Sequence, residues 1–125
     1  MTKRNLRNRK PMSARRLDAY RVGIELQTYM RPHLQYISKG NKNLAEQLDR
    51  SLPSMVNNLC EALRRTGKDR THLLTVSLGS ADEARASIDS AMVNGFMQTQ
   101  HAARADELAD RFCAMVYRLH ERYLG

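Results

Sequence analysis

The chain contains no tryptophan and has only two phenylalanines and three prolines. Sheets favour aromatic and β-branched residues, so this composition gives little support to a β fold. No apolar run approaches the roughly 18 residues of a membrane helix. The N-terminal residues carry charge without a following apolar segment, unlike a secretory signal. We expect a helical, cytoplasmic protein that does not contact a membrane.

Motifs for catalysis and for metal binding are also missing from the sequence. The four histidines, His33, His72, His101 and His120, lie far apart, and no His-Glu-x-x-His, Cys-x-x-Cys or phosphate-loop pattern occurs. A ferritin-like di-iron site needs Glu-x-x-His, and Glu61 is followed three residues later by an arginine. We therefore predict a protein that is not an enzyme and that holds no metal and no cofactor.

The two cysteines, Cys60 and Cys113, lie far apart inside predicted helices. Disulfides are rare in the cytoplasm, so we expect two free thiols.

Positive charge is concentrated at the start of the chain. The sequence has 21 Lys and Arg residues against 13 Asp and Glu residues, a net charge of +8. Residues 1–16 hold seven basic residues and no acidic one, which leaves 14 basic against 13 acidic residues in 17–125. Residues 1–12 lack hydrophobic periodicity and are expected to form a disordered arm. Residues 13–125 are predicted to form one helical domain.

The first helix is predicted to begin after Ser13, whose hydroxyl can accept a hydrogen bond from the first turn. Apolar residues recur at helical spacing as far as Ile37. Pro32 lacks an N–H and is expected to kink this helix or to end it near Arg31. The residues 38–41, Ser-Lys-Gly-Asn, predict a loop.

The second helix has the clearest pattern. From Leu44 to Leu63 the apolar residues recur at intervals of three or four, which places one stripe against a core. Pro53 lies inside this stretch and is expected to bend it. Thr66 and Asp69 resemble a capping box that begins the third helix.

The third helix is predicted from about Gly67 to Asn94, since Asn94-Gly95 is a typical C-terminal stop. Small residues cluster around Gly79, which predicts the close approach of another helix. A fourth helix is predicted from near Thr99, with apolar residues at coiled-coil-like spacing. Four amphipathic helices with short connections predict an all-α fold, an antiparallel up-down-up-down four-helix bundle.

The predicted second and third helices also carry a family resemblance. They contain the pattern Gln-Leu, Arg, Ser, Asn, Glu, a basic cluster and then Leu-Gly-Ser-x-x-Glu. With these residues the chain resembles the bacterial four-helix bundle proteins related to the ribosomal RNA intervening-sequence protein. The matching positions are Gln47, Leu48, Arg50, Ser54, Asn58, Glu61, Arg64, Arg65, Lys68, Leu78, Gly79, Ser80 and Glu83.

The chain departs from the family pattern in several places. Met55, Leu59 and Cys60 replace the usual Ile-x-x-x-Ile-Ala pattern conservatively. Ala62 stands where the family usually has glycine, and Pro53 precedes Ser54 instead of a proline following the Ser-Ile pair. The basic arm is not part of the usual pattern.

The resemblance implies a homopentamer arranged as a barrel around a central channel. It also implies kinship with the accessory proteins of diversity-generating retroelements, which bind a reverse transcriptase and nucleic acid.

Basic residues are the candidate contacts to nucleic acid. Lysines and arginines without acidic neighbours can neutralise phosphates and release counterions, and no aromatic residue interleaves with them to stack on bases. We therefore expect contacts with the backbone and little sequence preference. A solubilising tail, or an arm that meets an acidic protein or lipid, remains the alternative. The candidates are Lys3, Arg4, Arg7, Arg9, Lys10, Arg15, Arg16, Arg64, Arg65, Lys68 and Arg70.

A polar stripe along the second helix comprises Gln47, Ser51, Ser54, Asn58 and Glu61. Helical spacing places these residues on one side, beside the apolar stripe. They form either a solvated face or a hydrogen-bonded seam in which Asn58 and Glu61 meet Ser77, Ser80 or arginines. We favour the seam. The residues assigned to structural or interface roles are Gln47, Arg50, Ser54, Asn58, Glu61, Gly79, Ser80 and Glu83.

The sequence thus predicts a non-enzymatic, oligomeric four-helix bundle protein that binds RNA or DNA through basic arm and rim residues. The alternative is a protein–protein scaffold or adaptor, including an accessory protein to a reverse transcriptase.

Overall fold

A computed structural model describes residues 10–124, and all regular structure in this range is helical. A 3-10 turn at Ala14–Arg16 precedes four long helices. These are α1 (Asp18–Gly40), α2 (Lys42–Arg64), α3 (Gly67–Val93) and α4 (Thr99–Tyr123). The prediction of an all-α fold with four helices is confirmed. In the range described, no helix combines the length and apolar character needed to cross a membrane.

All four helices contribute to one hydrophobic core. Fully burying a leucine, isoleucine, phenylalanine or methionine side chain contributes about 1.5–3 kcal/mol, so this core is the main source of stability. The apolar stripe predicted for the second helix is buried along its whole length. Its members are Leu44, Leu48, Leu52, Met55, Leu59 and Leu63.

The connection between α1 and α2 is shorter than predicted. α1 continues to Gly40, so Asn41 is the single residue between the two helices. Asn41 has an extended backbone, and its side-chain oxygen accepts a hydrogen bond of 3.0 Å from the N–H of Leu44. This bond satisfies one of the free donors at the start of α2. The predicted four-residue loop is therefore wrong, because one N-cap residue separates the helices.

The end of α3 agrees with the prediction of a stop at Asn94-Gly95. Gly95 has φ of +81°, a left-handed conformation that glycine adopts without strain. The N–H of Phe96 donates to the carbonyl of Ala91 at 2.8 Å, and the N–H of Gly95 donates to that of Met92 at 3.0 Å. This pair of bonds is a Schellman motif.

Two predicted N-caps differ from the structure. Ser13 accepts a hydrogen bond from the N–H of Arg15 at 3.3 Å, which caps the 3-10 turn, and α1 begins only at Asp18. Thr66 occupies the N-cap position of α3, but its side chain makes no capping hydrogen bond. The predicted capping box with Asp69 is therefore wrong.

Both internal prolines lie within continuous helices. α1 extends eight residues beyond Pro32, so the helix does not end near Arg31, and α2 extends eleven residues beyond Pro53. A proline leaves the carbonyl four residues earlier without its helical donor. For Pro32 that carbonyl belongs to Thr28, and both residues are exposed, so water can solvate the group.

Close helix packing occurs at Gly23 and not at Gly79. A Cβ on Gly23 would lie 2.5 Å from Cγ2 of Val56 and 3.1 Å from the ring of Phe112. Gly79 is exposed, and a Cβ there would have no heavy atom within 4 Å. The close approach predicted at Gly79 is therefore wrong, although its neighbour Ser77 is fully buried against α2.

Contacts between α1 and α4 follow opposite directions along the chain. As residue numbers rise along α1, the numbers of the partner residues fall. The pairs are Gly23 with Phe112, Glu25 with Arg104, Tyr29 with His101, and Gly40 with Phe96, which precedes α4.

Candidate nucleic-acid interface

The described end of the basic arm is fixed beside the turn between α2 and α3. The N–H of Met12 donates to the carbonyl of Leu63 at 2.8 Å, and the guanidinium of Arg70 donates to the carbonyl of Lys10 at 3.3 Å. Met12 is half-buried against the core. These contacts place residues 10–12 beside this turn. Four predicted contact residues, Lys3, Arg4, Arg7 and Arg9, lie outside the described residues.

Arg70 has a different position from the other candidates, because its side chain is completely buried. It donates to the carbonyls of Ala62 at 3.4 Å and Leu63 at 3.2 Å, as well as to Lys10. Its guanidinium carbon lies 4.5 Å from the centre of the Tyr123 ring, within cation–π range. The carbonyls at the end of a helix lack helical donors, so Arg70 caps α2. We leave it out of the proposed phosphate contacts.

The remaining candidates in the described range are exposed: Lys10, Arg15, Arg16, Arg64, Arg65 and Lys68. Arg65 forms an ion pair with Glu61, with Nη2 and Nε at 2.6 and 3.0 Å from Oε1. Both side chains are about half exposed. An exposed pair at this spacing contributes only about 0.3–0.5 kcal/mol, so a phosphate can compete for Arg65.

Arg15 lies close enough to Cys60 to affect its thiol. Burial raises the pKa of Cys60, and the positive charge of Arg15 opposes this rise. Burial also raises the pKa of Cys113, which the guanidinium of Arg85 opposes. Both thiols are thus disfavoured as thiolates, the form needed for nucleophilic chemistry. The 3-10 turn that contains Arg15 also packs against α2.

Two further arginines were missed by the sequence analysis. Arg118 and Arg122 are exposed and border a shallow groove with residues 17–19 at the start of α1, where the acidic Asp18 pairs with Arg21. They extend the positive surface next to the arm. The signal was present in the sequence, since the spacing of Arg111, Arg118 and Arg122 by seven and four residues places all three on one side of a helix.

Positive charge in the described range is unevenly distributed. The segments adjoining the arm, residues 10–24, 56–76 and 110–124, contain 11 basic against 5 acidic residues. The other described residues, 25–55 and 77–109, contain 6 basic against 8 acidic residues. We use the name basic rim for seven exposed basic residues, none of which forms an ion pair described above. They are Lys10, Arg15, Arg16, Arg64, Lys68, Arg118 and Arg122.

Part of the polar stripe on α2 forms a hydrogen-bonded seam with α3. The hydroxyls of Ser54 and Ser80 lie 2.9 Å apart, and the amide of Asn58 donates to the hydroxyl and carbonyl of Ser54 at 3.0 and 2.8 Å. The hydroxyl of Ser77 donates to the carbonyl of Met55 at 2.6 Å. The bonds of Ser54 with Ser80 and of Ser77 with Met55 thus join the middle of α2 to the middle of α3. Asn58 bonds within its own helix and not to Ser77 or Ser80, so that part of the prediction is wrong.

Other residues assigned to structural or interface roles lie outside this seam. Gln47, Arg50 and Glu83 are exposed, as is Glu61, which pairs with Arg65 on its own helix. The structure thus places a solvated face at both ends of the predicted stripe.

The fold brings together two histidines that are 68 positions apart in sequence. The rings of His33 on α1 and His101 on α4 have centroids 4.7 Å apart, and Tyr29 contacts both rings. Burial lowers the pKa of His33, and the nearby His101 lowers it further. Sequence spacing gave no sign of this pairing, because it depends on how α1 packs against α4. Among residues 10–124, no group of three or more His, Cys, Asp or Glu side chains is arranged to hold a metal.

Comparisons of the chain with protein-family models, with curated proteins and with solved structures found no match. The resemblance to the intervening-sequence protein family therefore stays a prediction.

Proposed function

We propose that this chain binds nucleic acid through the phosphate backbone, using the basic rim together with the basic residues of the arm. The observation that carries the proposal is the attachment of the arm. Met12 and Arg70 hold its described end beside the α2–α3 turn, so Lys10 lies beside the turn that carries Arg64 and Lys68. Several cations on one surface can neutralise successive phosphates of one strand.

The chemistry of the rim favours the backbone over the bases. The rim consists of arginines and lysines, whose donors suit phosphate oxygens. It contains no aromatic residue for stacking on an exposed base. We therefore propose broad binding to RNA or DNA with little sequence preference.

The other features of the proposal come from the sequence. We propose a non-enzymatic, cytoplasmic protein whose four helices follow an antiparallel up-down-up-down order. The contacts between α1 and α4 support this order, because residue numbers rise along α1 as they fall along α4. We also propose a homopentamer and kinship with the intervening-sequence protein family, both on the basis of the resemblance. In such an assembly several arms would act on one polyanion, which would raise the effective affinity.

Binding is best tested by fluorescence anisotropy with single-stranded RNA, double-stranded RNA and duplex DNA of random sequence. The measurement is repeated across about 50 to 200 mM salt, because each phosphate contact adds about 0.7 to the slope of log K against log salt for a single strand. Replacing Arg64 and Lys68 together with glutamine should therefore lower this slope by roughly 1.4. Deleting residues 1–9 should lower it further.

The matched control replaces two exposed arginines away from the rim, Arg31 and Arg50, with glutamine. The net charge changes by the same amount, so a general charge effect would appear in both double variants. Equal losses of slope in the two variants would contradict the proposed rim, and a wild-type chain that ignores all three polyanions at low salt would contradict the function.

A scaffold role is the second candidate, and one surface supports it. A groove between α1 and α2 is bordered by Leu34, Leu52 and Pro53 and by the exposed Ile24. The exposed ring of Tyr36 lies beside an adjoining groove. Such an apolar surface suits a protein partner better than it suits the phosphates of a nucleic acid. This role, including service to a reverse transcriptase, would be favoured if the chain bound no polyanion.

A further inference from the structure

Tyr29, His33 and His101 form a compact group where α1 meets the start of α4. The hydroxyl of Tyr29 lies 2.9 Å from Nδ1 of His101, and the ring centroids of His33 and His101 are 4.7 Å apart with an interplanar angle of 44°. We call these three residues the histidine cluster. Both histidines are partly buried, so one side of the cluster remains open to solvent.

The two histidines line a cavity of about 400 Å³ together with the loop before α4. Phe96, Met97 and Gln98 form the loop side of this cavity. Met97 is almost completely buried and belongs to the hydrophobic core. The side chains of Tyr36 and the two histidines lie on its other side, and the cavity has room for water molecules.

The spacing of the imidazoles agrees with two ligands of one metal ion. A metal–nitrogen bond of about 2.1 Å puts the ion roughly 3.2 Å from the centroid of the ring that binds it. If the two metal–nitrogen bonds meet at the ion at about 90–110°, the two ring centroids lie roughly 4.6–5.3 Å apart. The observed separation of 4.7 Å lies in this range.

We propose that His33 and His101 bind a late first-row transition-metal ion such as Ni²⁺, Cu²⁺ or Zn²⁺. Neutral imidazole suits these ions. Water completes the coordination. The site is independent of the basic rim and of nucleic-acid binding.

Tyr29 acts as a positioning residue in this site. A histidine that ligates a metal through Nε2 carries its proton on Nδ1 and donates it to an oxygen, which fixes the ring. The hydroxyl of Tyr29 is at the right distance from Nδ1 of His101 to accept that bond.

The test uses the full chain without an affinity tag, since a histidine tag would itself bind metal. Isothermal titration with Ni²⁺ in a non-coordinating buffer should give one saturable site per chain. His33→Ala and His101→Ala should each weaken it by at least about tenfold, and Tyr29→Phe by about tenfold, as expected for the loss of a supporting hydrogen bond. Affinity should rise from Co²⁺ to Ni²⁺ to Cu²⁺, and Mg²⁺ should not compete.

The control is the double variant His72→Ala with His120→Ala, which removes the other two histidines and keeps the cluster. Paramagnetic broadening gives a second measurement on the wild-type chain, so the result does not depend on whether a variant folds. Substoichiometric Ni²⁺ should broaden the imidazole resonances of His33 and His101 before those of His72 and His120. Uniform broadening of all four, or Ni²⁺ affinity in His101→Ala equal to wild type, would overturn the proposal.

Discussion

Replacing Arg70 with alanine should destabilise the fold more than any other single arginine substitution at the arm end of the molecule. Its side chain is completely buried and donates to three carbonyls, those of Lys10, Ala62 and Leu63. It also stacks on the ring of Tyr123. Alanine would leave a cavity and would remove the donor from all three carbonyls at once.

The expected cost follows from these contacts. A hydrogen bond from a charged donor contributes about 1.5–3 kcal/mol, and the three bonds of Arg70 are long, at 3.2 to 3.4 Å, so the low end applies. A cation–π contact adds about 0.5–2 kcal/mol. The cost of burying the charge reduces this total, so we expect a net loss of about 3–5 kcal/mol.

Urea unfolding followed by circular dichroism measures the loss as a lower midpoint with an unchanged slope. Arg64→Ala is the matched control, because Arg64 is exposed in the last turn of α2 and its replacement should change stability by no more than about 0.5 kcal/mol. Tyr123→Phe keeps the ring beneath the guanidinium and should also be mild. If Arg70→Ala and Arg64→Ala had equal midpoints, the structural role assigned to Arg70 would be refuted.

Two further predictions concern glycine and histidine. Gly23→Ala should destabilise the fold by about 1–3 kcal/mol, because the new Cβ would lie 2.5 Å from Cγ2 of Val56. Gly79→Ala should stabilise the fold by about 0.5–1 kcal/mol, because a Cβ there meets no other atom within 4 Å. Equal urea midpoints for the two variants would contradict this packing. Because folding lowers the pKa of His33 from 6.5, the unfolded chain takes up its proton more readily. Stability should therefore fall as pH drops through about 6.5, and His33→Gln should reduce the difference between urea midpoints measured at about pH 7.5 and about pH 5; a difference as large as that of the wild type would refute this.

The helices were largely predictable because their signals are local. The stripe from Leu44 to Leu63 and the stop at Asn94-Gly95 each depend on a few neighbouring residues. The loop at 38–41 was mispredicted since polar residues and glycine are common in loops but are also tolerated in the last turn of a helix. In the structure residues 38–40 belong to α1, and Asn41 caps the start of α2. Local composition alone does not reveal which polar residue of the segment 38–41 caps the next helix.

Packing details were less predictable because they depend on the angle at which helices meet. Gly79 lies among small residues, yet the face of α3 that it occupies points to solvent in the described chain. Gly23 has few small neighbours in sequence and is nevertheless the glycine pressed between Val56 and Phe112. The pairing of His33 with His101 has the same origin. A one-residue rotation of α4 would separate the two rings without changing any sequence pattern.

The candidate interface illustrates why charge alone does not identify a contact residue. Arg64 and Arg70 belong to the same basic cluster in the sequence, but one is exposed and the other caps α2 and holds Lys10. A loss of nucleic-acid binding in an Arg70 variant could therefore come from a lost phosphate contact or from release of the arm. A single affinity measurement does not separate these two causes. The salt dependence separates them, since removing a phosphate contact lowers the slope by about 0.7 to 0.9. Releasing the arm from its attachment weakens binding by an amount that is mainly entropic, and it leaves the number of exposed cations unchanged. Stability and salt slope therefore have to be measured on the same variants before any arginine of this surface is assigned to the ligand.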